Sequence, residues 1–225
     1  MSTESGDGRA ESTRQQILRA AAHQFARRTY HDVGLDDILA EAELTKGAMY
    51  FHFRSKHALA VAIIEQHIFR GRAAVEDLLS RHLSGLETLI DFCYLAAVQD
   101  VTSDVARAAS HLLESVGRTT GHQARMLDGW INMLSGVVER AIAEGDVRQD
   151  CDPRDVGRLI VSMYMGLRQT SDLDDPRRFL LDVERNWVLI LAAVLQPDRA
   201  DYFTQFLRRR TALAIKAAPA QVSAT

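Results

Sequence analysis

The chain of 225 residues has only two cysteines, Cys93 and Cys151, too few for a disulfide framework and without metal-ligand spacing. Four prolines and thirteen glycines exclude collagen-like and low-complexity architectures. No apolar run approaches the roughly 18 residues of a membrane helix. The first nine residues are polar and lack the apolar core of an export signal, so a reducing cytoplasm is the expected compartment. Strand signals are nearly missing as well, with no sustained alternation and no Asn-Gly hairpin turn. Nor is there an internal repeat. The catalytic patterns HExxH, GxSxG, GxGxxG and GxxxxGK[ST] do not occur, and no Glu is followed three residues later by His as a di-iron bundle requires. No catalytic residue, metal ligand or cofactor is therefore expected.

What is present is 47% hydrophobic residues, enough for a sizeable core, and a net charge of −3 that is unevenly spread. Residues 1–72 hold ten Lys/Arg against nine Asp/Glu, and the remainder holds seventeen against twenty-one. Five of the eight histidines also fall in the first part. A small nucleic-acid module joined to a larger acidic one would look like this, but the asymmetry alone is weak evidence.

Apolar residues recur at helical steps almost throughout, and the expected fold class is all-α. Ser12 with Gln15 forms a capping-box pattern opening a first helix whose face is Ile17, Ala21 and Phe25, ending near Arg27-Arg28. Short helices follow from about Leu35 (Leu35, Ile38, Ala42 on one face) and from Thr45 to Phe51. Ser55 caps a longer one with Leu59, Ile63 and Phe69 as its stripe. Further helices are expected over roughly 84–100, 103–116, 122–145, 154–170, 177–195 and 199–216. Asp152-Pro153 and Asp175-Pro176 mark two of the starts: each sets a capping oxygen before a proline whose missing N–H costs nothing there. The expected division is a disordered arm 1–11, a three-helix DNA-binding domain 12–57, a larger helical ligand-binding and dimerisation domain 58–217, and a disordered tail 218–225.

The stretch from Val33 to Leu59, VGLDDILAEAELTKGAMYFHFRSKHAL, is a helix, a tight turn at Glu43-Leu44 and a very short second helix. This is a helix-turn-helix, whose second helix enters the DNA major groove. Thr45 offers a cap and a hydroxyl, Lys46 a charge, and Gly47 close approach to a phosphate. Tyr50 and His52 carry polar tips that reach sugar-phosphate oxygens, and Lys56 adds a cation beside free backbone N–H groups. Phe53 belongs in the core, while Phe51 suits either core or surface. A helical adaptor binding only protein is the competing reading, but it has no need of a Gly-Tyr-His surface at that place.

The run Thr45-Lys46-Gly47-Ala48-Met49-Tyr50-Phe51-His52-Phe53-Arg54-Ser55-Lys56, with Leu59 after it, closely resembles the recognition-helix signature of TetR-type transcriptional regulators. The resemblance covers about residues 12–60. It implies a homodimer with an N-terminal DNA-binding domain on double-stranded operator DNA, and repression relieved by a small-molecule effector. Two departures stand out: Glu43 replaces the usual turn glycine, and Gly34-Leu35 replace paired threonines, so no hydroxyl contact is carried over there. The string from Lys46 to Phe53 is similar to that of the γ-butyrolactone receptor group, which tends to read KGALYFHF and has a pocket tryptophan on a long helix. Trp130 sits in the corresponding place, ahead of a Glu144-Gly145-Asp146 turn.

Met126, Trp130, Met133 or Leu134, and Val137 lie at helical steps, an ordinary core stripe or one wall of a pocket. An indole covers an apolar ligand while holding a polar tip, and methionines give an adaptable wall. Phe92, Leu95 and Tyr164 are candidate companions. The implied effector is a small, mostly apolar signal of butyrolactone, butenolide or furan type. The alternative is a drug or acyl compound sensed by a repressor of an efflux or lipid-metabolism operon. Val156, Leu159, Ile160, Met163 and Leu167, then Val183, Trp187, Ile190, Leu191 and Val194, make 154–170 and 177–195 the expected dimer surface, with Gly157 and Gly166 allowing backbones to approach; the alternative is that these stripes close the subunit's own core.

Overall fold

A computed structural model describes residues 4–117 and 121–218. Ten α-helices run through these residues: α1 (Glu4–Arg27), α2 (Leu35–Ala42), α3 (Lys46–His52), α4 (Lys56–Ser80), α5 (Gly85–Thr102), α6 (Asp104–Leu112), α7 (His122–Ala143), α8 (Pro153–Thr170), α9 (Pro176–Val194) and α10 (Ala200–Ala217). The only β pairing among them is an isolated antiparallel bridge, Val147 with Leu195. Among the described residues no helix is long and apolar enough to cross a membrane.

The chain forms two compact units: residues 1–70 with 103–124, and residues 71–102 with 125–225. The first takes in more chain than the segment 12–57, because α6 packs against α1. Arg27 pairs with Asp104 at 3.0 Å, and His111 meets the Phe25 carbonyl at 3.1 Å. The second is a bundle in which α9 packs on α5, α8 and α10.

Local capping explains the sharp boundaries. Asp152 Oδ1 accepts the N–H groups of Arg154 (2.8 Å) and Asp155 (3.0 Å), and Asp175 accepts that of Arg178 (3.0 Å). Ser55 Oγ accepts from Ala58 N–H at 3.1 Å. Two sequence expectations need correction. Ser12 does not open α1: the helix already runs from Glu4, so the expected arm is helical from that residue on. Residues 1–3 and 219–225, the rest of the arm and nearly all of the expected tail, lie outside the described residues. Phe69 is not on the buried stripe of α4 either. Leu59 and Ile63 are buried, but Phe69 is 74% exposed, because six residues turn a helix about 120° away from Ile63.

Candidate DNA-reading site and the interior of the second unit

In the first unit, Ile17, Ala21 and Phe25 of α1 are fully buried together with Ile38 of α2 and Met49 of α3. Gln16 reaches across to donate to the Ala42 carbonyl at 2.7 Å. At the start of α2, Asp37 accepts the Gly34 N–H at 2.9 Å and pairs with Arg28 at 2.9 Å. The Gly34 hydrogen bond, with Arg28 behind it, holds the Asp37 carboxyl below the usual carboxylate range. At the end of α2, Glu43 N–H donates to Ala40 (3.2 Å) and Leu44 N–H to Leu39 (3.1 Å). This is a Schellman closure, and it requires a left-handed residue. Glu43 fills that place with φ 52°, where glycine would be free of the side-chain penalty.

Thr45 then caps α3, its hydroxyl accepting from Ala48 N–H at 3.3 Å. Met49 and Phe53 anchor the short helix inward, and the Arg14 guanidinium lies 5.4 Å from the Phe53 ring centre. Thr45, Lys46, Gly47, Tyr50 and Phe51 are exposed, and His52 is half-buried against the Phe51 ring. Phe51, 80% exposed, is a surface residue. Seven of the outward positions on the short helix and its flanks were expected to meet DNA, and the structure brings five of them to one open surface. The sixth, His52, closes the end of the helix.

Lys56 is the exception. Its ammonium donates to the carbonyls of Tyr30 and Val33, both at 2.8 Å, and sits 4.5 Å over the Tyr30 ring. Tyr30 in turn stacks on Phe25. Lys56 thus ties the start of α4 to the loop before α2, a positioning task in place of the free cation expected from its location. Lys46 pairs with Asp36 at 2.8 Å on the surface. Neither Tyr30 nor Asp36 drew notice in the sequence, since a carbonyl clamp and a cross-helix ion pair leave no local pattern.

In the second unit, Trp130 is half-buried and stacks on Phe92 with ring centres 5.2 Å apart. A Cβ on Gly71 would lie 2.5 Å from the Trp130 ring, so only glycine fits beneath the indole. Met133 packs partly buried on the same core, Met126 is buried, and Leu95 is half-buried. Tyr164 is buried, and its hydroxyl donates to Asp100 at 2.7 Å while Arg168 binds the same carboxylate at 2.7 Å. Burial foremost, then the Asp100 charge, raises the Tyr164 phenol well above its ordinary range. Cys93, fully enclosed beside Trp187, has its thiol pushed up to about 12 by burial. Cys151 is half-buried.

A groove of about 690 Å³ lies along α9 and α10, with Val188, Leu191, Ala192 and Leu207 on its walls and Arg148, Arg185 and Arg208 among its polar groups. None of the six candidate ligand residues lines it. The expected dimer stripe also divides differently: Val156, Ile160, Leu167, Val183, Trp187, Ile190, Leu191 and Val194 are buried within the subunit's own core. Leu159, Val188 and Leu189 are the large apolar side chains that α8 and α9 leave exposed. Gly157 serves the interior, since a Cβ there would meet Ser135 Oγ at 2.8 Å, and Gly166 has nothing within 4 Å.

Residues 17–63, which hold the whole of this helix-turn-helix, match the family described as bacterial regulatory proteins, tetR family. A solved γ-butyrolactone receptor, an ArpA-like protein, is 30% identical over 91% of this chain and 99% of its own, with TM-score 0.79. The chain belongs to the TetR family. Among the relatives of this TetR-family chain is the A-factor receptor protein of Streptomyces griseus, 31% identical over 191 residues. That match takes in 84% of this chain and 66% of the receptor, so the chain spans just under two thirds of that relative's length. The TetR-family protein CprB of Streptomyces coelicolor, solved in complex with its biological operator sequence, is 29% identical with TM-score 0.78, over 91% of this chain and 99% of its own. These relatives are named as regulators and receptors, and none is named as an enzyme.

Proposed function

We propose that the protein is a ligand-responsive transcriptional repressor that holds operator DNA through α3 and releases it when a small apolar signal of γ-butyrolactone, butenolide or furan type binds the helical second unit. The observation that carries the DNA half is the exposed face of α3, with Thr45, Lys46, Gly47, Tyr50 and Phe51 presented on a base fixed by Met49, Phe53 and the Lys56 clamp. The Thr45 hydroxyl and Tyr50 tip suit phosphate and base-edge oxygens, and the Phe51 ring suits a thymine methyl group.

A homodimer places two such helices about 34–36 Å apart, one DNA turn. The helices proposed for the pairing are α8 and α9, through Leu159, Val188 and Leu189, since their buried stripe already serves the subunit. Support for the ligand class comes from the relatives' names and from the Trp130–Phe92 stack, which is a large apolar surface with one N–H donor. Because α4 contributes residues to both units, a ligand that prefers one tilt of α4 biases the spacing of the reading heads.

A mobility-shift assay on duplex from the region upstream of the gene tests the first half: a shift that weakens steeply with salt is expected. Adding a synthetic alkyl γ-butyrolactone is expected to release the duplex, and to do so poorly with Trp130→Ala. Release by an acyl compound or drug, with the lactone inert, favours a repressor of an efflux or lipid operon instead. Release of the Trp130→Ala variant at the wild-type lactone concentration removes Trp130 from the pocket.

A further inference from the structure

Glycine in a helix interior weakens the helix relative to alanine. Gly71 lies well inside α4, and it is the first residue of that helix in the second unit, so its presence needs a local reason. The reason is Trp130 on α7. A Cβ at position 71 would lie 2.5 Å from Cη2 and 2.7 Å from Cζ2 of the indole, well inside the separation at which non-bonded carbons rest. The seat is reciprocal. A Cβ on Gly129, next to Trp130, would lie 3.4 Å from the guanidinium of Arg72, next to Gly71. Each helix thus sets a glycine against the large side chain of the other.

Phe92 covers one face of the same indole, and both rings pack on the core of the second unit. The ring is therefore held by the core on one face and by the backbone of α4 along its benzo edge. That edge has no clearance. A ligand that lodges on the remaining face and moves the ring toward α4 moves the helix with it. The same helix begins at Lys56, which is tied to the carbonyls of Tyr30 and Val33 beside α2.

Resting on the reading of operator binding and of Trp130 given above, we infer that Gly71 is a positioning residue for the release of DNA: it seats the indole on the backbone of α4, so that the helix registers where the ring lies. Effector parts ring and helix from the ring's side, and a methyl group at position 71 parts them from the helix's side with no effector present.

The test uses the full chain as wild type, Gly71→Ala, Trp130→Ala and the double variant, with Gly136→Ala as a control on α7, where an added Cβ meets nothing within 4 Å. Fluorescence anisotropy is followed on a labelled duplex enriched by the wild-type protein from a random library. Without effector, Gly71→Ala is expected to bind this duplex about fivefold or more weakly, the lower end of the coupling between two linked sites. A synthetic alkyl γ-butyrolactone should weaken it further by a smaller factor than wild type, because the state it favours is already populated. Gly136→Ala should bind as wild type does. In the Trp130→Ala background the Gly71 substitution should change nothing, since the ring it strikes is gone; that rescue also shows the single variant to be folded. Trp130→Leu takes the place of Trp130→Ala if the latter unfolds. Equal or tighter binding by Gly71→Ala overturns the inference, as does a loss that persists without the ring or is shared by Gly136→Ala. Wild-type protein that enriches no duplex sinks the DNA-binding reading itself. A lactone that fails to release wild type removes only the ligand class, and the effector-free affinities still decide the role of Gly71.

Discussion

Lys56 holds Tyr30 twice, by a 2.8 Å hydrogen bond to its carbonyl and by an ammonium 4.5 Å above its ring. Together with the bond to Val33, this clamp joins the loop before α2 to the start of α4, so the helix-turn-helix is closed at both ends. Lys56→Met keeps the alkyl stem and deletes the charge. It should destabilise the chain by about 1.5–3 kcal/mol, the range for hydrogen bonds to a charged group. Urea unfolding followed by circular dichroism gives that figure, and a midpoint equal to wild type would show the clamp to be idle.

Glu43 stands in a left-handed conformation that side chains avoid. Glu43→Gly removes the strain, worth about 1 kcal/mol, while loosening the unfolded chain by part of that amount. The expected balance is a gain of about 0.5 kcal/mol, visible as a higher melting temperature. A lower melting temperature would mean that the Glu43 side chain contributes more than its backbone costs.

Asp100 is shared by Tyr164 and Arg168 in the interior of the second unit. Asp100→Ala leaves a buried guanidinium without its counter-charge, so a loss of about 3–5 kcal/mol is expected. Tyr164→Phe removes only one hydrogen bond and should lose about 1 kcal/mol. Chemical denaturation of the two variants side by side checks the ordering, and equal losses would contradict it.

Asp37 sets a pH dependence of definite sign. Its folded carboxyl titrates below the ordinary range, held there by the Gly34 N–H and by Arg28. The charged form therefore supports the fold above the unfolded value of about 3.9, and that support disappears as the pH drops through the lowered folded value. Asp37→Asn should flatten this part of the acid limb in melts taken from pH 6 downward. An acid limb identical to wild type would assign the effect to other carboxylates.

The parts of the molecule legible from the sequence are those governed by neighbours along the chain. Thr45, Ser55, Asp152 and Asp175 all cap helices as their spacing indicated, because an N-cap needs only an oxygen and an N–H two or three residues on. Glu43 was marked by the family resemblance alone, as the residue standing where a turn glycine is usual, and it is left-handed. Features made by distant chain were not legible. Gly71 is required by an indole at position 130, and Lys56 is claimed by carbonyls 23 and 26 residues earlier. The apolar stripes of α8 and α9 admitted two partners, another subunit or the chain's own core, and Trp187 and its companions are buried in that core, where α9 packs on α5, α8 and α10. Periodicity tells which residues share a side of a helix; it does not tell what lies opposite.

The two cysteines are chemically unlike. Cys93 is sealed in the core with its thiol raised to about 12, while Cys151 precedes the Asp152 cap of α8 at a half-buried position. At neutral pH an alkylating reagent therefore attaches at Cys151 and spares Cys93. Each native chain comes with a single handle for a nitroxide or a dye, and in a paired assembly the separation of two such labels can be followed as effector is added, with no engineered residue.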